Sequence, residues 1–327
     1  MKFLKLLVLI TLLSFSGTEG SCLSICGKCS PCFKLGADWL YWTPCISDQH
    51  FTLSATENQV ETHYLCSEWK SGVRVFMKSE DVGNGFGGSL TYSYIRPEAS
   101  GSISPALQNS VAFSNALPVD RDTGDSARGN WKAEYQSADL LIHYDIKVAC
   151  SQCFNIQLFT GLTWVDVEQN RTDILYKNLN TSEEEVDTFY RHQEFWAVGP
   201  AVGLHSSIKI CNCFDLFGTL KVNAVIGKSE SIDRYKEELQ GEEDVENVYF
   251  ANDSCSCFPG FHLITGVDYD FCYSDADVGI RLGWEYVQWV NAPTFPSYEQ
   301  GESGIRSATN NRTFSMQGIF VGLYASF

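Results

Sequence analysis

The chain lacks any hydrophobic run long enough for a membrane helix once residues 1–20 are set aside. A helix needs about 20 consecutive apolar residues to cross a bilayer, so the sequence predicts no membrane-spanning helix in the mature protein. Basic residues are also scarce, because 23 lysines and arginines stand against 40 aspartates and glutamates, for a net charge of −17. A nucleic acid is therefore not expected as a partner.

Histidines are few, and none of the six lies in a recognisable nucleophile or metal motif. The nearest approach to a catalytic group is His143, which shares one strand face with Asp139 and Asp145. Pairing of these charges inside the protein is favoured over catalysis. We therefore predict that the protein is not an enzyme and that it uses no metal and no cofactor.

Prolines number only 9 in 327 residues, whereas aromatic residues reach 13 %, and this composition favours a strand-rich protein. The 13 cysteines predict an oxidising compartment and disulfide bonds. Because their number is odd, at least one thiol must be free, modified or bound to another chain if all the others pair within this chain.

The first twenty residues have the pattern of a signal peptide. Lys2 and Lys5 precede the apolar run Leu6–Leu13, and small residues follow as far as Gly20. We predict a signal peptide over residues 1–20, with Gly17 as the other candidate cleavage site. Lipid attachment at Cys22 is the alternative, although Glu19 occupies a position where lipoprotein signals prefer a leucine-like residue.

Alternation of apolar and polar residues predicts strands along most of the remaining chain. Short and long connections follow one another in strict alternation, as they do in an outer-membrane barrel with short periplasmic turns and long external loops. We therefore predict an all-β fold, a transmembrane antiparallel up-and-down β-barrel over residues 34–327, preceded by a cysteine-rich periplasmic segment, residues 21–33. The ten predicted strands are Leu35–Tyr41, Val73–Lys78, Ser89–Tyr94, Ala138–Val148, Phe154–Trp164, Trp196–Ile210, Leu216–Ile226, Phe261–Phe271, Val278–Tyr286 and Thr313–Phe327.

Two regions leave the strand count open. The segment between Cys45 and Cys66 has room for one further hairpin, and the polar stretch from Arg96 to Asn130 has room for another. The prediction is therefore ten to fourteen strands. Pro200 lies inside a predicted strand, where it removes a hydrogen-bond donor and suggests a β-bulge.

A secreted all-β protein with a packed core is the alternative fold, because periodicity alone permits it. Two features favour the barrel. Tyrosines and tryptophans border the apolar faces, as the aromatic girdles of a membrane barrel do, and the opposite faces carry isolated charges that a dry core would reject.

The polar faces of the strands are predicted to line the interior of the barrel. Charges of both signs in such a lining favour a weakly selective polar passage. The alternative is that these groups pair across a narrow lumen and close it, because side chains fill the smallest barrels. The predicted lining residues are Asp38, Arg74, Lys78, Asp139, His143, Asp145, Lys147, Lys209, Asp215, Lys221, Asp277, Arg281 and Glu285.

The topology divides the cysteines between the two membrane surfaces. The two groups cannot pair with each other, because a disulfide requires Cα atoms within about 7 Å. Bonds within the periplasmic group and bonds to neighbouring chains both remain open, and zinc at the Cys-x2-Cys spacings is disfavoured in an exported protein. The periplasmic candidates are Cys22, Cys26, Cys29, Cys32, Cys150, Cys153, Cys211, Cys213 and Cys272, and the external candidates are Cys45, Cys66, Cys255 and Cys257.

Several sequence blocks resemble one family of porins, the family of the major outer-membrane protein (MOMP-like porins). Its members occur in legionellae and chlamydia-related bacteria. The blocks keep the order of that family over nearly the whole mature chain: residues 35–42 (LGADWLYW), 135–139 (YQSAD), 195–200 (FWAVGP), 214–218 (FDLFG), 282–285 (LGWE) and 316–323 (MQGIFVGL). The resemblance implies a pore-forming barrel that passes small solutes. It also implies that cysteines cross-link the envelope in the chlamydia-related members.

We therefore expect an outer-membrane porin for small hydrophilic solutes, with a structural role in a disulfide-cross-linked envelope. The alternatives are a surface adhesin and a structural barrel whose lumen is closed. The expected partners are outer-membrane lipid, the barrel-assembly machinery, which would recognise the terminal Phe327, and disulfide-linked copies or other cysteine-rich envelope proteins.

Overall fold

The computed structural model describes fourteen stretches of the chain, all within the unit Pro31–Phe327. The predicted signal peptide and almost all of the cysteine-rich segment lie outside them. No helix in these stretches has the length and apolar character that a membrane crossing requires. The described residues are 33–45, 50–56, 59–83, 85–103, 110–113, 125–146, 154–177, 185–211, 213–239, 245–273, 276–293, 297–301, 304–308 and 311–327.

The described residues form seventeen strands, which are β1 (Phe33–Pro44), β2 (His50–Thr56), β3 (Gln59–Tyr64), β4 (Cys66–Ser67), β5 (Lys70–Gly83), β6 (Phe86–Ile95), β7 (Glu98–Ile103), β8 (Ser110–Phe113), β9 (Ser126–Ile146), β10 (Phe154–Lys177), β11 (Glu185–Cys211), β12 (Phe214–Leu239), β13 (Val245–Tyr273), β14 (Ala276–Pro293), β15 (Ser297–Gly301), β16 (Gly304–Ala308) and β17 (Asn311–Ser326).

Ten of these strands close into an antiparallel barrel in the order β1-β5-β6-β9-β10-β11-β12-β13-β14-β17, and β17 pairs with β1. The predicted barrel is confirmed, and each of its ten strands overlaps one of the ten predicted segments. The hairpin expected between Cys45 and Cys66 exists as β2 and β3, but it pairs with β8 in a separate sheet. Strands β4 and β7 extend the sheet beside β9 without joining the closed wall.

The barrel closes at the last strand of the chain. Leu35 lies opposite Ala325, and Tyr41 lies opposite Ile319. At the rim, the backbones of Phe33 and Phe327 donate hydrogen bonds to each other at 3.3 and 2.8 Å. The register places both residues at the same end as the short turns, which is the periplasmic end in barrels of this kind.

Large apolar side chains cover the outside of the barrel. On β17, for example, Ile319 and Leu323 are 41 % and 60 % exposed, whereas the inward Phe320 is fully buried. Each barrel strand repeats this arrangement, because side chains alternate between the two faces of a strand. An apolar belt around the outside is the surface that a lipid bilayer requires.

Aromatic side chains mark both edges of the apolar belt. At the long-loop edge, the rings of Trp39 and Tyr41 stack at 5.5 Å, and those of Trp284 and Tyr286 stack at 6.2 Å. At the short-turn edge, Phe86 packs against Tyr144 at 4.9 Å, and Tyr269 packs against Phe271 at 4.6 Å. These are two girdles at the levels where tyrosine and tryptophan prefer the membrane interface.

Pro200 does not produce the predicted bulge. It lies opposite Leu162 of β10 in an unbroken register. Toward β12, pairing stops after Val198 and resumes at Ala201, but the register is the same on both sides of the gap. The missing N–H of proline therefore interrupts the ladder locally without inserting an extra residue.

Strands β10 to β13 extend well beyond the membrane. They contain 24, 27, 26 and 29 residues, whereas about 9–11 residues are enough to cross a bilayer. On the outward face of β10 the apolar belt ends at Trp164, and Asp166 and Glu168 follow. The upper halves of these strands therefore form an extension of the barrel on the external side.

Candidate functional site: the interior of the barrel

A network of buried charges occupies the middle of the barrel, and Arg74 is its centre. The guanidinium group of Arg74 donates hydrogen bonds to Ser93 at 3.2 Å, to Asp38 at 3.3 Å and to Glu285. The side chains of Asp38 and Glu285 are fully buried. Buried ions of this kind are stabilised only when each has its partner in place.

Further ion pairs extend this network across the lumen. Lys221 donates to Asp139 at 2.6 Å, and Thr163 donates to the other oxygen of the same carboxylate. His262 Nε2 contacts Glu285. Arg281 Nε lies 3.8 Å from Asp38. The charged residues that the sequence predicts to face inward therefore meet one another in the middle of the barrel.

A layer of apolar side chains lies directly above this network, on the long-loop side. We call it the apolar layer. Phe195 and Phe258 pack at 5.5 Å between ring centres, and Tyr135 stacks on Phe314 at 6.2 Å. All its members belong to one buried cluster and are at most 4 % exposed: Leu40, Trp42, Ile95, Tyr135, Val165, Val167, Phe195, Val225, Phe258, Val287, Trp289, Phe314 and Met316.

Below the network, the short-turn end contains a cavity of about 400 Å³, which we call the inner cavity. Its wall is polar and carries charges of both signs. It is positive at Lys34, Lys78 and Arg281 and negative at Asp215, Asp268 and Asp270. Arg74, Asp139 and Lys221 of the network form its inner limit. The cavity therefore begins at the periplasmic rim and ends at the buried ion pairs.

Above the apolar layer, the interior becomes polar again within the external extension. Arg171 donates to Asp173 at 2.8 Å, and Lys177 forms an ion pair with Asp187 at 2.8 Å. Burial raises the pKa of Asp187, while its pair with Lys177 opposes that rise. The interior thus consists of two polar compartments separated by the apolar layer.

The structure brings most of the predicted lining residues into the interior. Arg74, Lys78, Asp139, His143, Asp215, Lys221 and Arg281 line the inner cavity. Asp38 and Glu285 belong to the network, and Asp145 accepts a hydrogen bond from Gln157 at 2.7 Å. Lys209 is exposed near the short turn. Lys147 and the side chain of Asp277 lie outside the described residues. That these residues line a conducting pore remains a prediction.

The predicted lining omitted the apolar layer and three charged wall residues of the inner cavity. Trp42, Phe195 and Phe258 have inward parity, so the alternation predicts that they point into the barrel. The predicted lining was limited to charged residues and His143, and it therefore omitted them. Lys34 on β1 and both Asp268 and Asp270 on β13 also have inward parity. Alternation shows which face a residue occupies, and it does not show which inward residues lie at the same depth.

The cysteines are only partly described. Cys45, Cys66, Cys213 and Cys257 are free thiols, and Cys66 and Cys257 are exposed. Cys213 lies in the short turn between β11 and β12, at the short-turn end that was predicted to be periplasmic. The side chains of the remaining candidates lie outside the described residues, so the disulfide pairing remains a prediction. Within the described residues, no group of three or more His, Cys, Asp or Glu side chains is arranged to hold a metal ion.

A second electrostatic feature lies on the outer surface, just above the apolar belt. Asp166 points outward two residues beyond Trp164, outside the membrane-spanning part of β10. Its partial burial, together with the nearby carboxylates of Glu194, Glu168 and Glu134, raises the pKa of Asp166 to about 6. A raised carboxyl pKa contributes stability at low pH, and that contribution is lost as the pH rises through the folded-state pKa.

In wild type, the free energy of unfolding should fall between about pH 4 and pH 7, because Asp166 ionises in this range. We expect Asp166→Asn to remove this fall. Above that range the variant should be more stable than wild type by about 1 kcal/mol, a value reduced for the partial exposure of the group. Urea unfolding of the barrel in lipid vesicles, followed by tryptophan fluorescence, measures this difference. Glu246→Gln, at an exposed position of β13, is the matched control. It keeps Asp166 and should therefore keep the same fall in stability as wild type. If the free energy of unfolding depends on pH in the same way for wild type and Asp166→Asn, the prediction is contradicted.

A closed ten-stranded barrel with an apolar belt between two aromatic girdles defines the class, an outer-membrane β-barrel protein. Within that class, the chain belongs to the family described as Legionella pneumophila major outer membrane protein precursor, whose model matches residues 28–327. The predicted family resemblance and the predicted location in the bacterial outer membrane are both confirmed.

Comparison with solved structures finds matches of low sequence identity over most of the chain. The outer membrane protease OmpT from Escherichia coli is 11% identical, with 94% of this chain and 100% of that chain covered and a TM-score of 0.46. A mutant of the monoaromatic hydrocarbon channel TodX is 6% identical, with 90% and 89% covered and a TM-score of 0.31. A Pseudomonas aeruginosa FadL homologue is 5% identical, with 90% and 89% covered and a TM-score of 0.24. No curated protein matches the chain significantly.

Proposed function

We propose that this protein is a gated channel for small hydrophilic solutes and that the described conformation is its closed state. The observation that carries the proposal is the apolar layer, a thin barrier between two polar compartments of one lumen. Hydrophobic constrictions act as gates in channels because water and ions enter them only when the constriction widens.

The apolar layer is only two inward positions thick on several strands. On β10, Val165 and Val167 separate the polar Thr163 from the polar Gln169. On β12, the inward positions between Asn223 and Ser229 are Val225 and a glycine, Gly227. Displacing a few side chains would therefore join the two compartments, and no strand has to leave the wall.

The polar compartments favour a channel over a purely structural barrel. A barrel with no transport role can fill its interior with apolar side chains, and replacing buried ion pairs with well-packed apolar residues is often neutral or stabilising. Here the middle of the lumen holds charged side chains such as Arg74, Glu285 and Lys221, all of which are buried. Passage of hydrophilic solutes would explain why these polar groups are present, whereas packing alone does not explain it.

The test is single-channel recording in planar bilayers. The purified, refolded protein should show brief openings separated by long closed periods, and liposome swelling should show uptake of small sugars and amino acids. A folded, inserted barrel that never conducts at any voltage would contradict the proposal. That result would favour the closed-lumen alternatives, a structural barrel or a surface adhesin.

We also propose a structural role through disulfide bonds to other chains of the envelope. The odd number of cysteines supports it, and so do the exposed thiols of Cys66 and Cys257. On non-reducing gels of whole envelopes, we expect the chain in high-mass species that collapse to the monomer when a thiol is added. Replacing Cys66 and Cys257 with serine should reduce these species. A monomer under both conditions would contradict the role.

A further inference from the structure

The wall charges of the inner cavity are grouped by sign. Lys34 on β1 lies directly opposite Lys78 on β5, and Asp215 on β12 lies directly opposite Asp268 on β13. Like charges in cross-strand positions destabilise a sheet. Alternating the same charges around the wall would avoid this repulsion, so the grouping favours a role in binding. It gives the cavity a cationic side and an anionic side, which meet where Arg281 on β14 lies directly opposite Asp268 on β13.

Three charged atoms at this cavity are buried without a hydrogen-bond partner among the described residues: Oδ1 of Asp215, Oδ1 of Asp268 and Nε of Arg281. Arg281 Nε and Asp268 Oδ1 are 3.8 Å apart, which is too far for a hydrogen bond. The two carboxylate oxygens need donors, and the guanidinium nitrogen needs an acceptor. A single solute that carries both kinds of group can therefore satisfy all three atoms.

We infer that the inner cavity binds small zwitterionic solutes of the α-amino acid type. The ammonium group lies toward Asp215 and Asp268, and the carboxylate lies toward Arg281 and the two lysines. A cavity of about 400 Å³ has room for a molecule of this kind. The binding site itself does not depend on the proposed channel. The inference rests on the proposed function only where it names the class of solute that the channel carries.

The charges of the wall also explain discrimination against other solutes. Apart from Arg74, Asp139 and Lys221, which form its inner limit, the wall carries three cations, Lys34, Lys78 and Arg281, and three aspartates, Asp215, Asp268 and Asp270. A cationic solute is attracted by the anionic side and repelled by the cationic side. An anionic solute is attracted by the cationic side and repelled by the anionic side. A neutral polyol leaves both sides without a charged partner. Only a solute with both charges close together matches the two sides at once.

The test compares glycine with three analogues on the folded full chain in detergent, by ligand-observed NMR. Glycine methyl ester carries only the cation, N-acetylglycine carries only the anion, and glycerol carries neither. We expect glycine to bind at least about tenfold more tightly than each analogue. Equal affinities for all four, or no detectable binding of glycine, would overturn the inference. This comparison uses wild-type protein, so it does not depend on a variant that folds.

A variant then locates the site. Asp215→Asn should weaken glycine binding about tenfold and leave N-acetylglycine binding unchanged or stronger. Glu168→Gln, on the external outer surface, is the matched control and should change neither. Glycine binding that is unaffected by Asp215→Asn would overturn the assignment of the site.

Bilayer recordings on the same preparations separate this inference from the proposed function. A preference for glycine without any conductance supports the binding site and contradicts the channel. Conductance without any preference among the four solutes supports the channel and overturns the binding site.

Discussion

Replacing both Phe195 and Phe258 with alanine is expected to hold the channel open. Their rings pack together at 5.5 Å in the apolar layer, and both side chains are almost fully buried. Removing them leaves a gap in a barrier that is thin and that has polar groups on both sides. Water should enter this gap, because a cavity with polar partners within reach holds water. We expect the time-averaged conductance in planar bilayers to rise at least about tenfold.

The control for this prediction is the double variant Leu162→Ala and Val198→Ala. These residues lie on β10 and β11 but point outward and are exposed. The control removes apolar volume from the lipid-facing side and should leave the conductance at the wild-type level. A correctly folded Phe195→Ala and Phe258→Ala variant that conducts no more than wild type would show that the apolar layer is not the gate.

Replacing Arg74 with alanine is expected to cause the largest loss of stability of any single change in the barrel. Asp38 and Glu285 would lose their common cation, and both carboxylates are fully buried. Removing one member of a buried ionic network leaves uncompensated charge and costs about 3–5 kcal/mol. Urea unfolding in lipid vesicles, followed by tryptophan fluorescence, should show this decrease in the free energy of unfolding.

Arg96→Ala provides the matched control. Arg96 also pairs with a carboxylate, because two of its nitrogens donate to Oε2 of Glu134 at 3.0 and 2.8 Å, but this pair is on the surface. Surface ion pairs contribute little to stability, so this variant should unfold as wild type does. A second comparison is the triple variant Arg74→Met, Asp38→Asn and Glu285→Gln, which should recover part of the loss because no unpaired charge remains. Equal stabilities of Arg74→Ala and wild type would contradict the buried-network account.

The wall of the barrel could be predicted from the sequence because strand alternation is a local property. Ile319, Leu323 and their counterparts point outward because every second residue does, and no distant contact is needed to decide this. The closing pair of strands followed from the same pattern together with the even number of strands. The predicted bulge at Pro200 is wrong because the loss of one hydrogen-bond donor requires no extra residue, and the neighbouring pairs hold the register.

The contents of the lumen could not be predicted in the same way. Arg74 and Glu285 are 211 residues apart in the chain, and only closure of the barrel makes them neighbours. The sequence predicted that both point inward and left open whether they would line a passage or pair across it. The structure shows that they pair, because the lumen of a ten-stranded barrel is narrow enough for side chains from different strands to meet.

The sequence by itself therefore determined the class of fold, the membrane-crossing part of each strand, the outer surface and the membrane location, all of which depend on periodicity and composition. Only the tertiary structure decided the depth at which each inward residue lies. Depth depends on strand register and tilt around the closed barrel, and neither is encoded in a single segment. That difference explains why alternation alone predicts the inward charged residues, whereas the apolar layer is defined only by all ten strands together.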